Sequence, residues 1–198
     1  MDTEHNNDLS IFCRQVRQRS LEHQQAMPIA MKNGWRSISV GILRQELDSM
    51  VRAIYLNSQP RERRIQLLAD SANGRRWKKP SENKPVFDSE MVNNTGIADG
   101  WPKIVYKFGC TFIHLSNSHD HMARDPFQAL PLHKRQTVAE YINNYHSKRH
   151  LEPVTADSTF ESVHLYVPYV LEKITTNLEY QLERLERWHE QIQGPLQG

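Results

Sequence analysis

Three histidines, His114, His119 and His121, stand within eight residues in the segment from Tyr106 to Phe127, YKFGCTFIHLSNSHDHMARDPF. A helix through this segment puts Lys107, Cys110, His114, Asn117 and His121 on one stripe, because residues three, four and seven apart share a helical face. The stripe carries an ammonium, a thiol, two imidazoles and an amide beside the apolar positions Ile104, Phe108, Thr111 and Leu115. A polar line bordering a core can face a cleft, and imidazoles that titrate near neutrality can do general acid–base work there. The alternative is a solvated face that is rich in histidine. His119 and His121 are two apart and point to different sides of a helix, and the chain lacks an HExxH pair. No metal or other cofactor is therefore expected.

Two further groups carry charge in a pattern. Arg44, Asp48 and Arg52 recur every four residues, a guanidinium–carboxylate–guanidinium ladder that can anchor a phosphate or make an ordinary surface network. Arg75-Arg76-Trp77-Lys78-Lys79 sets four cations around an aromatic, a composition that grips a nucleic-acid backbone and stacks a base, or else forms a solvated loop. Arg61, Arg63 and Arg64 add to this local basicity.

The elements that must position these groups read as helices. A first segment covers about Asp8 to Met31, with Pro28 kinking or ending it. A second covers about Trp35 to Leu56 and carries the stripe Ile38, Leu43, Leu47, Met50, Val51 and Ile54. A third covers about Arg61 to Ser71 and stops at Asn73-Gly74. Residues 75–86 read as a flexible basic loop with two prolines, and a short helical stretch covers Asp88 to Val92. The fourth main helix starts at Trp101-Pro102 and is expected to reach Met122. A fifth covers about His133 to Ser147. The last covers about Ser158 to Gln193, with Leu171, Ile174, Leu178, Leu182, Leu185, Trp188 and Ile192 at spacings of three and four. Its far half, with Tyr180, can serve self-association or packing within the chain. No strand pair with hairpin chemistry is evident. The expectation is an all-α antiparallel bundle of five to six helices with a long C-terminal helix, forming one domain over residues 1–198.

Bulk properties exclude several classes. With 25 basic and 23 acidic side chains, the net charge of +2 gives no global attraction to polyanions, so any nucleic-acid contact must be local. Mean hydropathy is −0.71, and no run of 18 apolar residues occurs, so no membrane contact is expected. Two cysteines and a polar N-terminus without a signal-peptide pattern point to the cytoplasm.

The order of these helices resembles the HEPN superfamily, small helical bundles that often dimerise. Many members are metal-independent ribonucleases of toxin–antitoxin and defence systems, and others are inactive binding modules. The active motif is Arg followed after four to six residues by His, often with Asn after the Arg. Asn117 and His121 reproduce the Asn-to-His spacing, with Ser116 in the Arg position. Lys107 precedes His114 by six intervening residues, and strict Arg-to-His spacings occur at Arg17–His23 and Arg184–His189. The resemblance implies an endoribonuclease, active as a homodimer, in which His114 or His121 with Asn117 serves the 2′-hydroxyl and Lys107 or Arg124 stabilises the phosphorane-like transition state. Arg44, Arg52, Arg75, Arg76, Trp77 and Lys78 then bind the RNA. The inactive alternative implies a bundle that binds a protein, such as an antitoxin, or a nucleotide.

Overall fold

The computed structural model describes residues 2–80, 84–97, 100–113, 120–121, 123–148 and 150–193. It is all-α. The helices are α1 (Asp2–Lys32), α2 (Arg36–Ser58), α3 (Arg61–Ala72), α4 (Asp88–Asn93), α5 (Trp101–Ile113), α6 (Leu132–His146), α7 (Phe160–His164) and α8 (Val167–Gln193). No described residue belongs to a strand beyond an isolated antiparallel bridge between Lys78 and Pro85. No helix among the described residues is long and apolar enough to cross a membrane.

The chain divides into two compact units. The first gathers Met1–Glu22, Asp48–Gly96 and Thr175–Gly198, and the second gathers His23–Leu47 and Ile97–Ile174. The helices α1, α2 and α8 contribute residues to both.

In the first unit, Leu9, Phe12, Met50, Leu56, Leu67, Met91, Leu178, Leu182 and Leu185 are buried. The three- and four-residue spacing of the α8 leucines gives one continuous apolar stripe, and its removal from water is the main favourable term. Leu182 and Leu185 thus pack within the chain, whereas Tyr180 is exposed. Arg64 ties α3 to the end of α2. Its guanidinium donates to the carbonyl oxygens of Leu56, Asn57 and Gln59 at 2.9–3.1 Å and lies 4.0 Å over the Trp188 ring. These are carbonyls that a helix end leaves without helical partners.

In the second unit, Val40, Leu43, Leu47, Trp101, Val105, Phe112, Phe127, Phe160, Val170 and Ile174 are buried. Polar pairs are buried with them. His23 Nδ1 and Glu46 Oε2 are 2.6 Å apart, and His146 Nε2 and the Tyr141 hydroxyl are 2.8 Å apart. Lys173 lies over the rings of Tyr145, Trp101 and Tyr141 at 3.7, 5.2 and 5.6 Å.

Several expectations need correction. Pro28 does not end α1, which continues to Lys32 because the proline sits near the end of the helix and deletes one N–H bond there. The stop comes at Gly34, whose φ of +65° suits the left-handed position after the last turn. Ile38, expected in the core of α2, is exposed. The last helix is broken into α7 and α8 by Leu165 and Tyr166, just before Pro168.

The expected helix to Met122 is the main revision. Helix α5 is described to Ile113, whereas Asp120 is irregular and His121 lies in a turn. The short polar side chain of Asp120 competes with the backbone for hydrogen bonds, which disfavours helix at that position. His121 therefore does not share a helical stripe with Lys107. His114 and Asn117 lie outside the described residues.

Candidate nucleic-acid interface

Helix α3 ends in a Schellman arrangement. The Arg75 N–H reaches the Asp70 carbonyl at 2.7 Å and the Gly74 N–H reaches that of Ser71 at 3.1 Å. Gly74 has φ +66°, a conformation other residues rarely adopt. Arg75 then returns its Nε to the Asp70 carboxylate at 2.8 Å. The sequence thus turns sharply at Asn73-Gly74 and points the next residues away from the helix.

The described residues of the expected flexible loop, 75–80 and 84–86, are pinned, and 81–83 lie outside the described residues. Trp77 is 4% exposed, its Nε1 donates to the Leu67 carbonyl and to Ser71 Oγ, both at 2.9 Å, and its ring stacks on Tyr55 with centroids 5.9 Å apart. The N–H groups of Val86 and Lys79 reach the carbonyls of Trp77 and Lys84 at 2.9 and 2.7 Å, closing the hairpin around the Lys78–Pro85 bridge. Lys79 Nζ bonds Glu90 at 2.5 Å, and this contact holds the Glu90 carboxyl below its usual pKa. Trp77 is consequently an anchor, and stacking a base on it would require its removal from the core.

With Trp77 inside, its neighbours in sequence point out. Arg63, Arg75, Arg76, Lys78 and Lys79, together with Asp70, line an open concavity of about 600 Å³. Arg75 is paired with Asp70 and Lys79 with Glu90. Arg63 donates to the Gln66 amide oxygen and to the Lys78 carbonyl, neither of which neutralises it. Among the described residues, Arg63, Arg76 and Lys78 have no carboxylate partner. A second concavity of about 390 Å³ shares Arg75 and Arg76 and is walled by Pro85, Val86 and Phe87.

The other expected binding residues have different roles. Arg44 belongs to the second unit and is 4% exposed, with its guanidinium 4.0 Å over the Tyr106 ring. It is a packing residue, not a surface cation, because Gly109 allows α5 to approach α2 at Arg44 Cβ. Arg52 pairs with Asp88 at 2.8 Å and lies 5.3 Å over Trp77, so it braces the hairpin from beneath. Arg124 is exposed in the second unit and lies 3.8 Å from Asp120.

The expected catalytic residues are only partly placed. Lys107 is exposed on α5, and His121 is half-buried with no hydrogen-bond partner for its Nδ1 among the described residues. The strict Arg-to-His spacing at Arg17–His23 joins residues already engaged elsewhere. Arg17 is clamped by Glu179 and Glu186, each at 2.6 Å, and His23 by Glu46.

The second unit also holds a serine–histidine pair that sequence spacing does not announce. Ser39 Oγ lies 2.6 Å from His164 Nε2 and 2.9 Å from the Arg36 carbonyl oxygen, and both side chains are buried. Burial pushes the His164 imidazole down to about 4, helped by the charge of Arg36. The pair is a neutral internal link.

Phe87 is the residue that sequence reasoning passed over. It is 57% exposed at the edge of the smaller concavity. An aromatic directly after Pro85-Val86 and before the polar run Asp88-Ser89-Glu90 was the available signal. No family model, no curated protein and no solved structure matches this chain.

Proposed function

We propose that this chain is a HEPN-like helical module whose first unit binds a nucleic-acid backbone, with RNA as the expected strand, through Arg63, Arg76 and Lys78. The observation that carries the reading is the set of three cations that have no carboxylate partner among the described residues, around one concavity on a hairpin anchored by buried Trp77. A cation held without a counter-charge gains most from a phosphate, and charge-assisted hydrogen bonds to phosphate are the strong ones. Arginine supplies a planar fork for such oxygens, and lysine a point charge. Fixing the hairpin beforehand reduces the ordering cost that a loose basic loop meets on binding. The near-neutral chain as a whole gives a local contact rather than general polyanion adhesion.

The test is anisotropy of a fluorescent single-stranded RNA titrated with the protein. Arg76→Glu and Lys78→Glu each weaken binding at least tenfold, whereas Arg187→Glu on the exposed face of α8 changes it little. Equal binding by all four proteins overturns the proposal.

A second reading, the metal-independent ribonuclease, draws on His121 alone. Its Nδ1 is buried without a hydrogen-bond partner among the described residues, so this reading requires the turn at His121 to expose that nitrogen to the strand before it can accept a proton. That reading predicts RNA cleavage in the presence of a chelator, lost in His121→Ala with binding retained. An RNA left intact by the wild-type protein ends it.

A further inference from the structure

We infer that Phe87 is a stacking platform for an unpaired base, so that the interface takes single-stranded nucleic acid in preference to duplex; this rests on the backbone-binding reading above. The two concavities adjoin, because Arg75 and Arg76 line both. Lys78 and Arg63 line the larger concavity, whereas Pro85, Val86 and Phe87 line the smaller one, together with Asp88, whose carboxylate is paired with Arg52. Phosphates and bases alternate along a strand in the same way, with the charged group on one side and a flat π surface on the other.

Phe87 is also fixed in place. Its N–H donates to Glu90 Oε2 at 3.3 Å, and its carbonyl accepts from the N–H groups of Glu90 and Met91 at 3.0 and 3.2 Å. Its neighbour Val86 is buried and hydrogen-bonded to Trp77, so the backbone on both sides of Phe87 is held while its ring remains 57% exposed. A large aromatic held at the surface beside Arg76, which has no carboxylate partner among the described residues, is the kind of arrangement that sequence-tolerant single-strand binding uses. In a duplex the base faces are covered by their neighbours, so the ring has nothing to stack on, and duplex binding has only the phosphate contacts.

The experiment compares three fluorescent probes of equal length: a single-stranded RNA of mixed sequence, the same ribose–phosphate strand without bases, and the blunt RNA duplex. The wild-type protein binds the single strand roughly tenfold more tightly than the abasic strand. Phe87→Ala removes that difference and leaves the abasic affinity unchanged, while Phe87→Trp keeps or increases it. Arg76→Glu weakens single-stranded and abasic probes together. Wild-type and Phe87→Ala proteins binding the single strand equally, or duplex binding as tight as single-strand binding, overturns the inference while leaving the cationic interface standing. Failure of every probe to bind overturns both.

Discussion

Trp77 donates its indole N–H to the carbonyl oxygen of Leu67, 2.9 Å away, and this bond fastens the basic hairpin to α3. The residues flanking the indole inherit their direction from it. Once Trp77 is inside, Arg76 and Lys78 on either side must point outward. The same contact that removes an expected ligand-stacking residue therefore creates the cationic face. Trp77→Phe keeps much of the apolar burial and deletes the donor, removing one hydrogen bond each from the Leu67 carbonyl and Ser71 Oγ. The expected cost is about 1–2 kcal/mol in chemical denaturation. Trp77→Ala costs about 3–5 kcal/mol by leaving a cavity, and weakens RNA binding as well. A Trp77→Ala protein with wild-type stability would show that the hairpin is not anchored this way.

Gly109 and Gly41 give opposite outcomes for the same substitution. A Cβ at Gly109 would sit 2.8 Å from Arg44 Cβ, an atom too close to the backbone of α2 to swing aside. Gly109→Ala therefore destabilises by about 1–3 kcal/mol through overpacking. At Gly41 nothing lies within 4 Å of the added methyl, so Gly41→Ala in the same unit stabilises by about 0.5–1 kcal/mol through helix propensity. Thermal unfolding of the two variants checks the pair, and a stabilised Gly109→Ala would deny the close approach.

Acid sensitivity follows from two buried imidazoles. Burial pushes His146 and His164 down from 6.5 to about 4, with Lys173 and Arg36 adding like charge. The unfolded chain then takes up protons below pH 6.5 that the folded chain refuses until about pH 4. Stability is full above the unfolded value and falls as pH drops through this window, by up to roughly 3 kcal/mol per histidine. Urea unfolding at pH 7 and pH 5 measures it. His164→Gln reduces the difference between the two conditions, and an unchanged pH dependence in that variant would contradict the assignment.

Burial also ranks the carboxylate contacts. Glu46 is fully buried against His23, so Glu46→Ala leaves an unpartnered polar ring inside and costs on the order of 3 kcal/mol. Arg17 is more than a third exposed, as are its partners Glu179 and Glu186, and solvent screens their attraction. Arg17→Ala costs about 1 kcal/mol or less despite its two short contacts. Denaturant midpoints of the two variants give the order directly.

The helices were legible because their apolar spacing is regular. The α8 leucines, the Trp101-Pro102 start and the Asn73-Gly74 stop each encode their element locally. The basic hairpin was legible in composition but not in the direction of its side chains. A run of cations around a tryptophan reads the same whether the ring is out or in, and only the distant Leu67, Ser71 and Tyr55 decide that it is in. Arg44 misled for a similar reason. Its four-residue spacing from Asp48 is visible, whereas the glycine that brings Tyr106 beneath it lies 65 positions along the chain. The histidine stripe rested on helix continuing as far as His121, but Asp120 is irregular and His121 is in a turn, while His114 and Asn117 lie outside the described residues.

The cationic face is tested most directly by the salt dependence of RNA binding. Three cations meeting phosphates of a single strand give a slope of about −2 in a plot of log affinity against log salt concentration. Arg76→Ala and Lys78→Ala should each reduce the magnitude of that slope by about 0.7. A slope that neither substitution alters, or binding that does not depend on salt, would contradict the account.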